Sequence, residues 1–216
     1  MSAGNPVITR ELPPLSLRAA FVPSSVNVEK RTVDVVWSTG ERVLRGYFDK
    51  YYEELSLNAR HVRLGRFNNG APFCDGHPLK GGDYRAAIVR GVIVAGTAHT
   101  NGKQGTATVR FAKAAIDPEA EMLFQKVQDG IVQNLSIGYR IYKLEKAEES
   151  VDKVPVYRAI DWEPVELSSV SAGDDDGAGF RSADRSPNPC EFIARGVITD
   201  TDRNRTLRLA EAFLLH

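Results

Sequence analysis

The stretch Leu135-Ser136-Ile137-Gly138-Tyr139-Arg140-Ile141 alternates apolar with polar or small residues without a break. A period of two over that length is the mark of a β-strand with one face in the core. Leu135, Ile137, Tyr139 and Ile141 fall on that face. Asn134, Ser136, Gly138 and Arg140 fall on the other. A serine whose neighbour on the same face has no side chain has room to reach a carbonyl carbon. Ser136 is therefore a candidate nucleophile, given a base and an orienting group elsewhere in the chain.

Other segments share the β character. Residues 15–23 and 26–37 are apolar and β-branched, and Pro23-Ser24-Ser25 between them predicts a hairpin. Residues 86–98 and 105–113 read as strands joined through Asn101-Gly102. Residues 154–171 predict a further strand, with the hydrophilic stretch 143–153 as an exposed connection before it. Residues 191–198 predict a last strand. Helical signals are fewer. Residues 51–67 mix Glu, Leu, Asn and Arg and predict a mostly helical segment, with Asn58 as an N-cap and Asn68-Asn69-Gly70 as its end. Asp117-Pro118 opens a clearer helix, with Ala120, Leu123, Phe124, Val127 and Ile131 at helical spacing and Gly130 as a left-handed cap. Residues 201–215 predict a short third helix. Many short strands with two or three helices indicate a mainly β fold with flanking helices (α+β): an antiparallel, barrel-like core. The expected organisation is a flexible N-terminal arm at 1–14, one domain at 15–179 and a C-terminal tail at 180–216.

Charge and cysteine usage narrow the function classes. Lys plus Arg and Asp plus Glu both number 28, so the net charge is zero. That argues against binding nucleic acid through bulk charge. No run of eighteen apolar residues exists and the first fourteen residues hold no apolar signal core, so a soluble protein of a reducing compartment is expected, with no membrane partner. Cys74 and Cys190 lie too far apart in sequence to suggest a disulfide framework. Cys74-x-x-His77 is only half of a metal site. No metal or cofactor is expected. Asp174-Asp175-Asp176 lacks the spacing of a calcium loop and reads as a solvated turn.

A base for Ser136 comes most naturally from histidine. His216 is terminal, His61 sits in the charged 51–67 segment, and His99 lies at an expected hairpin tip. His77, in the loop Asp75-Gly76-His77-Pro78, is the best candidate. The orienting acid follows from the hairpin geometry. If the 131–142 and 154–171 segments pair about a connection near Ser150, Ser136 faces Pro164 and Glu166 is its diagonal neighbour, roughly 7–8 Å away. Asp161 and Glu163 are further candidates. An acid in the apolar context Val165-Glu166-Leu167 is the more unusual; a half-exposed Glu166 paired with Arg140 or Arg158 is the alternative explanation.

The ordered set Gly70-Ala71-Pro72-Phe73-Cys74-Asp75-Gly76-His77, Gln133-Asn134-Leu135-Ser136-Ile137-Gly138-Tyr139 and Trp162-Glu163-Pro164-Val165-Glu166-Leu167-Ser168 resembles the prohead (capsid maturation) serine proteases of tailed bacteriophages. Residues 31–40 and 58–67 share the resemblance, which covers roughly 15–179. It implies a fold similar to herpesvirus assemblin and a serine endopeptidase that works by acyl-enzyme chemistry. Ser136 is then the nucleophile, His77 the general base and Glu166 the group that orients the imidazole. In the assemblin relatives the third member is a histidine, which leaves His99 as an alternative. The implied substrates are the major capsid protein, the scaffold protein and the protease itself, inside the assembling prohead in the host cytoplasm, with homo-oligomer formation expected. A catalytically silent capsid-assembly or scaffolding module on the same fold is the alternative. The chain departs from the family after Leu167, where Ser168-Ser169-Val170-Ser171-Ala172-Gly173 lacks the usual proline.

Overall fold

The computed structural model describes residues 7–12, 15–46, 50–76, 88–151, 154–170 and 188–193. In chain order the strands are β1 (Val7–Leu12), β2 (Leu15–Asn27), β3 (Thr32–Ser38), β4 (Arg42–Arg45), β5 (Tyr51–Leu55), β6 (Pro72–Asp75), β7 (Ile88–Ile93), β8 (His99–Thr100) and β9 (Gly105–Phe111). The helix α1 (Pro118–Gln128) follows, then β10 (Asn134–Val151), β11 (Val154–Ser169) and β12 (Asn188–Ile193).

Seven strands close on themselves in the order β10-β2-β3-β9-β7-β6-β11, and the β10–β11 pairing seals the ring. Closure leaves no barrel strand with an unpaired row of backbone groups. The expected mainly β barrel is present, but its pairings are not all antiparallel: β6 runs parallel to β11. An odd number of strands cannot alternate direction all the way round a closed ring, so at least one pairing must be parallel. Two ribbons extend the sheet. β12 pairs with β10 and carries β1, and β5 pairs with β11 and carries β4.

The interior holds two chains of aromatic rings. Trp162 stacks edge-on against Trp37 and Tyr139, with centroids 5.9 and 5.8 Å away, and Trp37 meets Phe67 at 5.9 Å. Phe73 contacts Phe21 and Phe111 at 5.9 and 5.0 Å, and Phe111 reaches Phe124 of α1 at 5.1 Å. Such pairs contribute about 0.5–1.5 kcal/mol each beyond the area they bury. Space for them is made by small residues. A Cβ at Gly105 would stand 2.2 Å from the Trp37 ring.

The helix forms as its sequence dictates. Asp117 Oδ1 accepts the backbone N–H groups of Glu119 and Ala120 at 3.1 and 3.0 Å, and Pro118 occupies the first turn. Ala120, Leu123, Phe124 and Val127 are buried, and Gly130 takes φ 70°. Ile131 departs from the expected stripe: it lies past the helix and is 70% exposed.

Four expectations are corrected. Residues 51–67 are not helical. Tyr51, Glu53 and Leu55 point inward from β5, a period of two that the helix-favouring pair Glu53-Glu54 hides. Asn58 makes a turn instead of a cap, accepting Arg60 N–H at its Oδ1 and His61 N–H at its carbonyl. The β2–β3 turn falls at 28–31, and Pro23-Ser24-Ser25 lies inside β2 where the register slips. Residues 143–151 are strand, because β10 continues as the outer arm of a long hairpin. β1 draws part of the expected arm into the sheet, where it pairs with β12, the strand expected at 191–198 and found at Asn188–Ile193; Leu12, Cys190 and Phe192 are buried. The expected 201–215 helix lies outside the described residues.

Gly105→Ala should lower unfolding free energy by about 1–3 kcal/mol, because Trp37 must move to admit the methyl group. Gly65→Ala, with nothing within 4 Å of the new Cβ, should change it by less than about 0.5 kcal/mol. Urea denaturation of the two variants beside the parent measures both.

Candidate active site

The inner half of the β10–β11 hairpin carries the site. Leu135, Ile137, Tyr139 and Ile141 of β10 are fully buried in the core, as their alternation predicts. Ser136 on the opposite face is 8% exposed. On β11 the alternation is broken. Trp162 and Leu167 both belong to the core, although they are five positions apart, an odd number. The register shows why: Tyr139 faces Pro164 while Gly138 faces Glu166, so Val165 is an extra residue, a β-bulge. Pro164 lacks an N–H for the ladder, which suits it to such a break. Without the bulge, strict alternation from Trp162 would turn Glu166 into the core. With it, Glu166 lies on the Ser136 face.

The sequence-based register is therefore shifted. Ser136 faces Ser168, not Pro164, because the hairpin turns between Val151 and Val154 and slips in four places. Glu166 remains the diagonal neighbour of Ser136, now from the Gly138 side. Its side chain lies over Gly138, where a Cβ would approach Glu166 Cγ to 2.7 Å. The glycine beside the serine thus makes room for the carboxylate.

Glu166 is 5% exposed, and its Oε1 has no hydrogen-bond partner among the described residues. Burial pushes its carboxyl up to about 7, with the Arg66 charge acting in the opposite direction. Ser168 is fully buried with its Oγ unpartnered among the described residues. Cys74 of β6 pairs in register with Ser168, and burial together with the Glu166 charge pushes its thiol up to about 12. That excludes a thiolate near neutral pH.

His77 lies outside the described residues. Its neighbour in sequence, Gly76, donates to the Ser169 carbonyl at 3.0 Å, and Ser169 Oγ donates to Asp75 at 2.6 Å. Beside these strand ends is a cleft of about 370 Å³, lined by Met122, Leu123, Val132, Val170 and Lys126 among others. The other described histidines are engaged locally. His99 Nδ1 meets the Thr97 carbonyl at 2.9 Å and its Nε2 meets Thr106 Oγ1 at 3.0 Å. His61 Nδ1 meets Ser56 Oγ at 2.7 Å. The rival acids are also occupied: Asp161 by both arms of the Arg63 guanidinium, and Glu163 by the Tyr142 hydroxyl. Arg158 pairs with Glu54 instead of Glu166. His216 and the Asp174–Asp176 run lie outside the described residues. Among the described residues no cluster of three or more His, Cys, Asp or Glu could hold a metal, and both cysteines are free thiols.

Two buried polar clusters were not read from the sequence. Arg45, Glu53 and Tyr139 bond one another inside the fold, Arg45 Nη2 lying 2.9 Å from Tyr139 Oη and 3.3 Å from Glu53 Oε1. Burial raises the Tyr139 hydroxyl well above its ordinary range. Arg90 joins Asp117 at the helix cap, Glu119 and the Asp75 carboxylate. The signal for the first was Glu53 between Tyr51 and Leu55 at period two.

The raised Glu166 carboxyl costs stability as pH rises. Below about 4.5 it is protonated folded and unfolded and costs nothing. Between there and about 7 the unfolded chain ionises first, and above that the penalty is constant. Glu166→Gln removes the penalty. Relative to the parent, its stability should improve by on the order of 3 kcal/mol between pH 4 and pH 9. Denaturant titrations of both proteins across that range test this, and a difference independent of pH would refute it.

No protein-family model matches this chain, and no solved structure matches it significantly. Among the described residues no helix is long and apolar enough to cross a membrane. The chain is similar to the major capsid protein of Halomonas phage phiHAP-1, with 37% identity over 101 residues. The matched stretch covers 45% of this chain and only 15% of that relative's length.

Proposed function

We propose that this chain is a capsid-assembly module of a bacteriophage. The 37% identity to a phage major capsid protein carries this reading. Its partners are then the capsid and scaffold proteins of the same phage, met inside the assembling shell.

A second reading, a serine endopeptidase of capsid maturation, is favoured by one observation. The Glu166 carboxylate, with an open buried oxygen, is turned onto the Ser136 face by a bulge and lies over a glycine that makes room for it. A buried acid acceptor without a partner is costly, and sites that orient an imidazole have use for one. In this reading His77 takes the Ser136 hydroxyl proton as Oγ attacks the scissile carbonyl. His77 then gives that proton to the leaving amine, and water hydrolyses the acyl-enzyme. Glu166 accepts the ring N–H and balances the imidazolium charge. Capsid protein, scaffold protein and the chain itself are the substrates.

Co-expression with the capsid and scaffold proteins separates the two readings. Assembled shells that contain the chain, with every protein full length by mass spectrometry, establish the silent module. Shortened products establish the endopeptidase, and Ser136→Ala should then reduce their rate of appearance by at least about 10³-fold. Undiminished processing by Ser136→Ala would remove Ser136 from the mechanism. The endopeptidase rate should also fall as pH drops through about 7, because a protonated Glu166 cannot balance an imidazolium.

A further inference from the structure

Arg66 lies in the turn between the Val62 bridge to β11 and the short 3₁₀ turn Phe67–Asn69. Its Nε donates to the Val165 carbonyl at 3.1 Å. Val165 is the extra residue of the bulge, which leaves the regular ladder at that point. The same side chain supplies the charge that opposes the burial of Glu166, one residue further on. Among the described residues, the other titratable group acting with Glu166 is the Cys74 thiol of β6, neutral at ordinary pH. β10 presents Gly138 opposite the carboxylate in this register, with Ser136 on one side of it and the cationic Arg140 next along the same face.

We propose that Arg66 is a positioning residue for Glu166: it ties off the bulge that turns Glu166 toward Ser136 and supplies the cationic charge that favours the carboxylate there. The catalytic consequence rests on the endopeptidase reading, whereas the structural role does not. A guanidinium suits both tasks, since one N–H can serve a carbonyl while the charge remains. Loss of the charge leaves burial unopposed and holds Glu166 protonated to higher pH.

The test is a carboxyl carbon titration by NMR of the full chain labelled at glutamate, with the Glu166 signal assigned by its loss in Glu166→Gln. Arg66→Gln keeps an N–H donor for Val165 and removes the charge. Its Glu166 midpoint should rise by at least half a pH unit, while Arg66→Lys should stay near the parent. A midpoint unmoved in Arg66→Gln overturns the proposal. If Arg66→Gln does not fold, Arg66→Met in the Glu166→Gln background decides. Folding regained there supports a penalty acting through Glu166, and a failure to fold there too assigns Arg66 to the scaffold alone and overturns the proposal. Where the parent cleaves capsid protein, the acid limb of the Arg66→Gln pH–rate profile should shift with the titration. A shifted titration without any cleavage by the parent refutes the endopeptidase reading and leaves the Arg66 assignment standing.

Discussion

The pairing of β10 with β11 is the contact on which the rest of the fold depends. It closes a seven-strand ring, and its two arms project beyond the ring to receive the β12–β1 and β5–β4 ribbons. A one-residue slip in such a pairing exchanges the faces of every side chain beyond it. Of the four slips in this hairpin, one falls at the candidate site. The Pro164-Val165 bulge lets Trp162 fill the barrel on one side of the break and lets Leu167 do the same on the other. Glu166 is placed by the same irregularity. The core therefore sets the position of the candidate site: Trp162 and Leu167 together fix which way the carboxylate points.

Parts of the fold were legible wherever local chemistry and tertiary context agreed. Asp117-Pro118 specified a helix start that packing had no reason to override. Asn101-Gly102 specified a tight turn, and Gly102 takes φ 85° there. The β10 alternation was read correctly because its core face is apolar at every second position. Residues 51–55 were misread because the inward position between Tyr51 and Leu55 is a glutamate. A buried carboxylate breaks the apolar pattern on which the strand signal rests. Glu53 can sit there only because Arg45 and the Tyr139 hydroxyl reach it from two other strands, contacts that no local window contains. β1 escaped for a similar reason, and β12 was read three residues late, at 191–198. Each is a short strand whose partner lies at the opposite end of the sequence.

The site was legible in its residues and less so in its geometry. Ser136 and Glu166 were brought together by an assumed straight register that is wrong by four in its sum, and they are still neighbours. The bulge accounts for this. A turn placed later in the chain moves β11 along β10, and Ser168 takes the place opposite Ser136, while the extra residue restores Glu166 to the same face. A bulge carries no signature of its own beyond a proline in a strand. Pro164 was that signature, and its meaning becomes clear only when Trp162 and Leu167 are known to share one side.

Two buried glutamates in one sheet show how similar burial can serve different ends. Glu53 has a guanidinium and a phenol on one oxygen, bonds that tie β4, β5 and β10 together. Removing Arg45 or Glu53 would leave the other's buried charge uncompensated, and removing the Tyr139 hydroxyl would take a hydrogen bond from each, so this cluster acts as a structural unit. Glu53 Oε2 is likewise buried without a partner among the described residues, but Glu166 differs in that no guanidinium or phenol bonds its carboxylate there. Its Oε1 is buried without a partner among the described residues, the space over Gly138 is kept for it, and the nearby arginine bonds the backbone of the bulge. An acceptor held open in this way lowers stability once ionised, and a fold selected for stability alone would close it or replace it with an apolar residue. On the endopeptidase reading, that acceptor and the glycine that admits it are what the Ser136 face needs to orient an imidazole, whereas the Glu53 carboxylate is already committed to Arg45 and Tyr139.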